Sequence, residues 1–237
     1  MLMRRAILFG GGAAVLLVIL AVAGWWLFVR EDADLATEPP DIPSDLVDAT
    51  SEPEPGGDVL TFRIVPEESE AAYFVDEELA SLPLPSTAKG ATTAIEGEFH
   101  LTTDGAGLAP GFESRFTVDL TTLQSDEDRR DNRVQDALQT SLHPAATFTV
   151  AGVTGFDASL ADGEQQDLVL TGTLDLHGVQ REVSWEVEAR REGNVISALA
   201  TVSFAFSDFN ITPPNIAGFV SVSDEATLQV QVIAQVV

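Results

Sequence analysis

The most densely charged part of the second half of the chain is the stretch from Gln124 to Phe148. Its first thirteen residues contain five acidic residues and three arginines. Clustered carboxylates could hold a calcium ion, and clustered guanidinium groups could hold a phosphate. The arginines are Arg129, Arg130 and Arg133.

The spacing of these residues argues against both kinds of site. A calcium loop that begins at Asp126, with Asp128 as a further ligand, needs glycine at its sixth position and glutamate at its twelfth. Asp131 and Ala137 stand at those positions. A phosphate at the arginines would be repelled by the five neighbouring acids.

The same residues fit the beginning of a helix better. Ser125 is a good N-cap residue, and Asp128 three positions later resembles the second member of a capping box. Acids precede arginines by three or four positions, which favours ion pairs on a helix. Val134 and Leu138 share a narrow apolar face, and the helix should end before Pro144. We therefore predict one short helix in this stretch.

The three histidines offer little chemistry. His100, His143 and His177 have no metal-ligand spacing, and none belongs to a nucleophile motif. We expect His100 on the solvent-facing side of a strand, His143 at the end of the helix and His177 in a turn. The sequence therefore predicts no metal, no cofactor and no enzymatic activity. An enzyme that uses His143 or His177 is the least supported alternative.

The composition excludes some partners. The chain has 237 residues and a formal net charge of −26, from 38 acidic and 12 basic side chains. So acidic a surface repels phosphate backbones, and we expect no binding to nucleic acid. Either adaptation to high salt or compositional bias would explain this charge. The chain has no cysteine, which excludes disulfides.

The first 30 residues predict a membrane anchor. Residues 6–29 carry no charge and, as a helix, would be long enough to span a bilayer. Arg4 and Arg5 precede them and favour a cytoplasmic N-terminus. The rest of the chain would then lie outside the cytoplasm, in the periplasm or at the cell surface. A cleavable signal peptide is the alternative, because Ala21-Val22-Ala23 resembles a cleavage site.

Residues 31–58 predict a disordered linker. They contain ten acids, five prolines and no basic residue. A segment with so few large apolar side chains cannot form a core of its own. We expect it to hold the next domain at a distance from the membrane.

Residues 59–237 predict an all-β domain. Leucines and polar residues alternate between Leu168 and Leu176, and similar alternation recurs to the C-terminus. This pattern is typical of antiparallel strands with one apolar face, and His177-Gly178 suits a hairpin turn. About eight such strands fit one closed barrel or a sandwich.

The apolar faces of these strands supply the candidate binding residues. Inside an eight-stranded barrel they either fill the core or line a ligand pocket, and the sequence leaves both open. They are Phe99, Leu101, Phe116, Val118, Phe148, Leu174, Trp185, Val187, Val202, Phe204, Phe206 and Val230.

Several motifs occur in a specific order between residues 60 and 237. The most specific are Arg129–Asn132, followed by His143-Pro144-Ala145 and Phe148, and then Leu170–Val179. Together they resemble the YceI-like family. The resemblance implies an extended lipocalin-like barrel of eight antiparallel strands, with one short helix near its mouth. It also implies a long interior pocket for isoprenoid lipids such as polyprenyl chains or quinones, and a periplasmic or secreted location.

The sequence as a whole predicts a membrane-tethered, non-catalytic lipid-binding barrel outside the cytoplasm. The lipid tail would lie in the barrel and its head near the mouth, where Arg129, Arg130 and Arg133 are candidate contacts. The alternative is a stress-response or protein-interaction module with a solid core, whose acidic surface meets a cationic partner.

Overall fold

A computed structural model defines the fold. The structure describes residues 33–48, 59–79, 86–102, 107–157, 161–213 and 220–237. The predicted anchor, residues 6–29, lies outside the described residues. Within the described ranges, no helix is long and apolar enough to cross a bilayer.

Strands dominate the domain, as the alternation predicts. The strand segments are β1 (Val59–Ile64), β2 (Glu70–Leu79), β3 (Ser86–Thr92), β4 (Ile95–Thr102), β5 (Arg115–Asp119), β6 (Gln124–Ser125), β7 (Ala145–Thr154), β8 (Gln165–Leu176), β9 (Val179–Glu192), β10 (Val195–Ala205) and β11 (Val220–Val236). The helices are α1 (Ser44–Asp48) and α2 (Asp128–Ala137), with 3-10 helices at Pro66–Glu68, Leu120–Thr122 and Phe206–Phe209.

The segments form eight antiparallel strands that close into a barrel. Three strands are interrupted, so that β1 continues as β2, β3 as β4, and β5 as β6. β1 pairs with β4 on one side and with the end of β11 on the other, where Ile64 lies opposite Ala234. This pairing closes the sheet and decides between the two predicted architectures in favour of the barrel.

The predicted hairpin turn joins β8 to β9. His177 and Gly178 have φ angles of +55° and +71°, which suit the two central residues of a tight hairpin turn. Leu176 and Val179 pair across it. We call this end of the barrel the helix end, because α2 lies here, and the opposite end the distal end.

Helix α2 confirms the predicted helix but corrects its start. Glu127 is the N-cap residue, whereas Ser125 lies in β6 and pairs with Gly90 of β3. The Ser125 amide and hydroxyl both donate to Asp131 Oδ1, at 2.8 and 2.6 Å. Ser125 therefore orients the first turn from outside the helix. The helix ends before Pro144, as predicted.

Residues 33–48 lie on the outer surface of the barrel, which the prediction of a disordered linker did not anticipate. We call this segment the strap. Gln229 of β11 holds it at Ala36, since the Gln229 side chain donates to Ala36 O and accepts from Ala36 N, both at 2.8 Å. Further along, Ser197 Oγ donates to Pro40 O, and Gln235 Nε2 donates to Leu46 O at 2.9 Å.

The strap lies over outward-facing apolar residues of β10 and β11. Ser197, which bonds to the strap, stands between Val195 and Leu199 and opposite Ile233. These three apolar side chains are 0%, 4% and 1% exposed. The barrel thus supplies the apolar surface that the strap itself lacks, so the strap needs no core of its own.

Candidate ligand-binding interior

The inward faces of the strands form a continuous apolar interior. All twelve predicted interior residues belong to its three side-chain clusters, either buried or partly buried. One of them is placed differently from the prediction. Phe206 lies in the 3-10 helix after β10, because the strand ends at Ala205.

Part of the inward face of β10 and β11 is more exposed than the outward face beside it, which a solid barrel would not give. The outward-facing Val195, Ser197 and Leu199 are buried, whereas the inward-facing Ala198 and Ala200 are only partly buried. Val232 and Val230 of β11, which lie opposite them, and the next inward side chain, Leu228, are also partly buried. An inward side chain in a closed barrel keeps accessible area only where neighbours leave space. The interior beside β10 and β11 therefore contains space.

Glycines help to keep that space open. A Cβ atom on Gly90 would lie 2.3 Å from Tyr73 Cε1, and one on Gly97 would lie 2.7 Å from Phe116 Cδ1. The two aromatic rings therefore occupy the side-chain positions of the glycines on the neighbouring strands. Rings that lie against the wall in this way extend less far toward the barrel axis.

The distal end is filled by aromatic side chains. The rings of Phe62 and Phe99 stack with centroids 5.0 Å apart and planes 8° apart, and the Phe116 ring lies 6.2 Å beyond Phe99. Leu108 and Phe156 pack against the same cluster. These contacts place an aromatic cluster inside the distal end of the barrel.

The helix end is covered by α2. Val134 of α2 and its C-cap residue Leu138 pack against the central cluster, which confirms the predicted apolar face of the helix. Gln135 Nε2 donates to Leu120 O at 2.9 Å and fixes the helix on the rim. Phe209, in the last 3-10 helix, is buried beneath the same cover.

A buried ion pair also fastens α2 to the barrel. Arg130 Nε donates to Glu77 Oε1 at 3.2 Å, and these side chains are only 12% and 13% exposed. Arg130 Nη1 also pairs with Asp126. Burial alone would lower the pKa of Arg130, but its hydrogen bonds with Glu77 and Asp126 outweigh burial and raise that pKa above its ordinary value. Arg130 is therefore a fixed cation inside a charge network.

The sequence of the barrel matches one family model over nearly all of its length. The model of the YceI-like domain matches residues 62–234. The chain belongs to the YceI-like family. A search of curated proteins found no match.

Two solved structures share the YceI-like fold of this chain. One is a polyisoprenoid binding domain from Saccharophagus degradans implicated in plant cell wall breakdown, with a TM-score of 0.57, 19% identity, and coverage of 75% of this chain and 99% of that chain. The other is BcnA from Burkholderia cenocepacia, with a TM-score of 0.54, 17% identity, and coverage of 73% and 99%. Identities this low establish the fold alone.

The YceI-like barrel places the predicted head-group arginines in different environments. Arg129 and Arg133 are exposed on α2, whereas Arg130 is held by Glu77 and Asp126. The sequence could not show the partner of Arg130, because Glu77 lies on a distant strand. Tyr73, an inward-facing residue of β2 beneath α2, is not among the predicted interior residues.

His100 and His177 lie in the predicted strand and turn, whereas His143 lies in the loop between α2 and β7 and not at the end of the helix. The His143 and His177 rings lie 5.4 Å apart between centroids, and His177 Nδ1 donates to Phe209 O at 3.0 Å. His100 on β4 lies 2.9 Å from Thr61 Oγ1. The described part of the chain includes no group of three or more potential metal ligands.

Proposed function

We propose that this YceI-like chain binds an isoprenoid or a similar apolar lipid inside its barrel and catalyses no reaction. The observation that carries the proposal is the partial exposure of inward-facing side chains on β10 and β11, beside outward-facing ones that are buried. One structural neighbour, from Saccharophagus degradans, is itself a polyisoprenoid binding domain.

The physical driving force would be the removal of the lipid tail from water. Burying apolar surface is favourable by about 25 cal/mol per Å². The inner wall offers such a tail the apolar side chains of Ala198, Ala200 and Val230. A long flexible chain fits the elongated space better than a compact solute, since the eight strands define a tube.

We also propose that residues 6–29 anchor the chain in a membrane, with the barrel outside the cytoplasm. The uncharged run and the preceding Arg4 and Arg5 support this arrangement. Alkaline washing of membranes from an expressing bacterium should leave the full chain in the membrane fraction. Release by the wash would contradict the anchor but would leave the lipid proposal unaffected.

The lipid proposal is tested by extraction of the full chain from expressing cells. Mass spectrometry of the organic phase should find an isoprenoid lipid in a ratio close to one per chain. Ala200→Phe places a ring in the interior space and should remove most of that lipid. Ser203→Phe adds the same ring at an exposed outward position of the same strand and should leave the lipid in place. A wild-type chain without lipid, or equal retention by both variants, would contradict the proposal.

A further inference from the structure

The strap determines at which end of the barrel the preceding part of the chain leaves it. The first residue of the strap, Ala33, donates a backbone hydrogen bond to Thr87 O at 3.4 Å. Thr87 of β3 pairs with Asp76 of β2, and the residue after Asp76, Glu77, holds Arg130 of α2. Residue 33 is therefore fixed at the helix end.

From this point the strap runs toward the distal end. Gln229, in the middle of β11, holds the strap near its beginning, and Gln235, near the end of the same strand, holds Leu46. Gln235 pairs with Val195, which follows the turn between β9 and β10. Residues 33–48 are therefore fixed along the barrel wall and do not act as a spacer in front of the barrel.

This arrangement shortens the connection to the proposed anchor. As a flexible coil, residues 31–58 would separate the two ends of the linker by roughly 30 Å. Because the chain is fixed to the barrel from residue 33 onward, only residues 30–32 remain between Val29 and Ala33. The four peptide steps from Val29 to Ala33 span at most about 14 Å. An anchor that ends at Val29 would therefore keep the helix end close to the membrane.

The helix end also exposes an apolar side chain. Leu142, in the loop between α2 and β7, is 70% exposed, which is the highest value among the large apolar residues of the described ranges. The next residue, His143, packs on the β8–β9 turn, since a Cβ atom on Gly178 would lie 2.6 Å from His143 Cε1. The loop is thus held on the rim with its leucine uncovered. Such a side chain is more favourably placed in the interfacial region of a bilayer than in water.

The charges of the helix end fit a bilayer of zwitterionic lipid better than an anionic one. The exposed charged side chains on and just before α2 are Arg129, Arg133, Asp126, Asp128 and Asp136. Two cations and three acids leave no excess of positive charge to attract anionic lipid. The two arginines can still contact the phosphate groups of zwitterionic lipids while the acids remain in water.

We propose that the strap holds the barrel close to the membrane with its helix end against the bilayer surface, so that an apolar ligand passes directly between the bilayer and the barrel. This inference rests on the proposed membrane anchor and lipid binding, and it adds the partner surface and the orientation of the barrel. The partner is a bilayer of zwitterionic lipid. The distal end, which contains the aromatic cluster, faces away from it.

The orientation is tested with one fluorophore at either end of the barrel. The chain has no cysteine, so Ser141→Cys labels the helix end beside Leu142, and the matched variant Glu192→Cys labels the distal end. Both positions are exposed. The full chain, labelled with nitrobenzoxadiazole, is reconstituted into phosphatidylcholine vesicles that contain lipids with nitroxide headgroups. Quenching should be at least about threefold stronger at residue 141, because the 14 residues of β9 separate the two ends by about 40 Å along the strand.

The contribution of the strap is tested in the same vesicles. Gln229→Ala combined with Ser197→Ala removes two contacts that hold the strap, which lengthens the connection in front of the barrel. Quenching at residue 141 should then fall toward the value at residue 192. The control combines Gln231→Ala with Ser203→Ala on the same two strands and should leave the quenching unchanged. Circular dichroism checks that each variant is folded.

Each other outcome overturns a defined statement. Equal quenching at the two positions, or stronger quenching at residue 192, would contradict the orientation. Quenching at neither position, in a chain that resists alkaline washing, would show that the barrel is held away from the bilayer. Unchanged quenching in the folded strap variant would show that the strap does not set the orientation. Release of the chain by alkaline washing would refute the anchor and this inference with it, whereas the extraction experiment tests lipid binding separately.

Discussion

At the scale of single residues, the charged stretch on α2 serves mainly to fasten the helix to the barrel. Asp131 accepts from Ser125 on the rim, and Arg130 reaches Glu77 on β2. The residue types and local spacing predicted the helix and the Asp126–Arg130 pair correctly. They could not predict the pair with Glu77, because an interaction between distant segments leaves no periodic pattern in the sequence.

The ion pair between Glu77 and Arg130 should contribute measurably to stability because it is largely buried. Glu77→Gln removes the negative charge and leaves Arg130 in a poorly solvated position. We expect the free energy of unfolding to fall by about 2 kcal/mol, between the values typical of surface and fully buried pairs. Urea unfolding followed by circular dichroism measures this change.

The matched control is Glu98→Gln on the outer face of β4. Glu98 pairs with Arg63 at 2.6 Å, but these side chains are 38% and 58% exposed. Solvent screens such a pair, so its loss should cost less than about 0.5 kcal/mol. Equal effects of the two substitutions would show that burial of the Glu77 pair carries no additional stability.

At the scale of elements, the strands were more predictable than the strap. Side chains alternate between the two faces of a strand, so a period of two in the sequence predicts both the strand and its inward face. The strap has no such period and too little apolar area for a core. The sequence feature that points to the strap lies in β10, which is apolar on both faces. Val195 and Leu199 lie on the outward face, and Ile196 and Ala198 lie on the inward face. A strand that is apolar on both faces must be covered on both.

The strap should depend on the side chain of Gln229. That side chain makes two hydrogen bonds with the backbone of Ala36, as a neighbouring strand would. Gln229→Ala leaves both backbone groups of Ala36 without these partners. We expect a loss of about 1–2 kcal/mol in the free energy of unfolding and faster proteolytic cleavage between residues 33 and 48, measured by mass spectrometry of the fragments.

Gln231→Ala is the control for this substitution. Gln231 faces outward two positions further along β11 and pairs with Leu199 and Glu70 in the ladder. Its replacement should leave the cleavage rate of the strap unchanged. If both variants are cleaved at the wild-type rate, the strap is held by contacts other than the Gln229 clamp.

At the scale of the whole molecule, closure and interior space were the least predictable features. Closure depends on pairing between β1 and β11 at opposite ends of the domain, which no local pattern records. The twelve predicted interior residues all belong to the apolar clusters of the barrel, but residue types do not determine whether such a set fills its space. The glycines at positions 90 and 97 contain part of that information, because they let Tyr73 and Phe116 lie against the wall.

The net charge of −26 should make the stability of the folded chain depend on salt. With 38 acids and 12 bases, most carboxylates have no cationic partner and repel one another in the compact state. Unfolding separates these charges, so the repulsion lowers the free energy of unfolding at low ionic strength. Sodium chloride screens the repulsion, because the Debye length falls from about 30 Å at 0.01 M to about 3 Å at 1 M.

We therefore expect the free energy of unfolding to rise by about 1 kcal/mol or more as sodium chloride increases over that range. The shape of the curve identifies the cause. Screening acts mainly at low concentration and then levels off, whereas a general strengthening of apolar contacts by salt continues to grow with concentration. Stability that falls on the first additions of salt would mean that attractive pairs such as Arg130–Glu77 and Arg63–Glu98 outweigh the repulsion among the unpaired acids. A free energy of unfolding that rises steeply at first and then levels off would show that repulsion among the surface acids destabilises the fold and that dissolved ions reduce this repulsion.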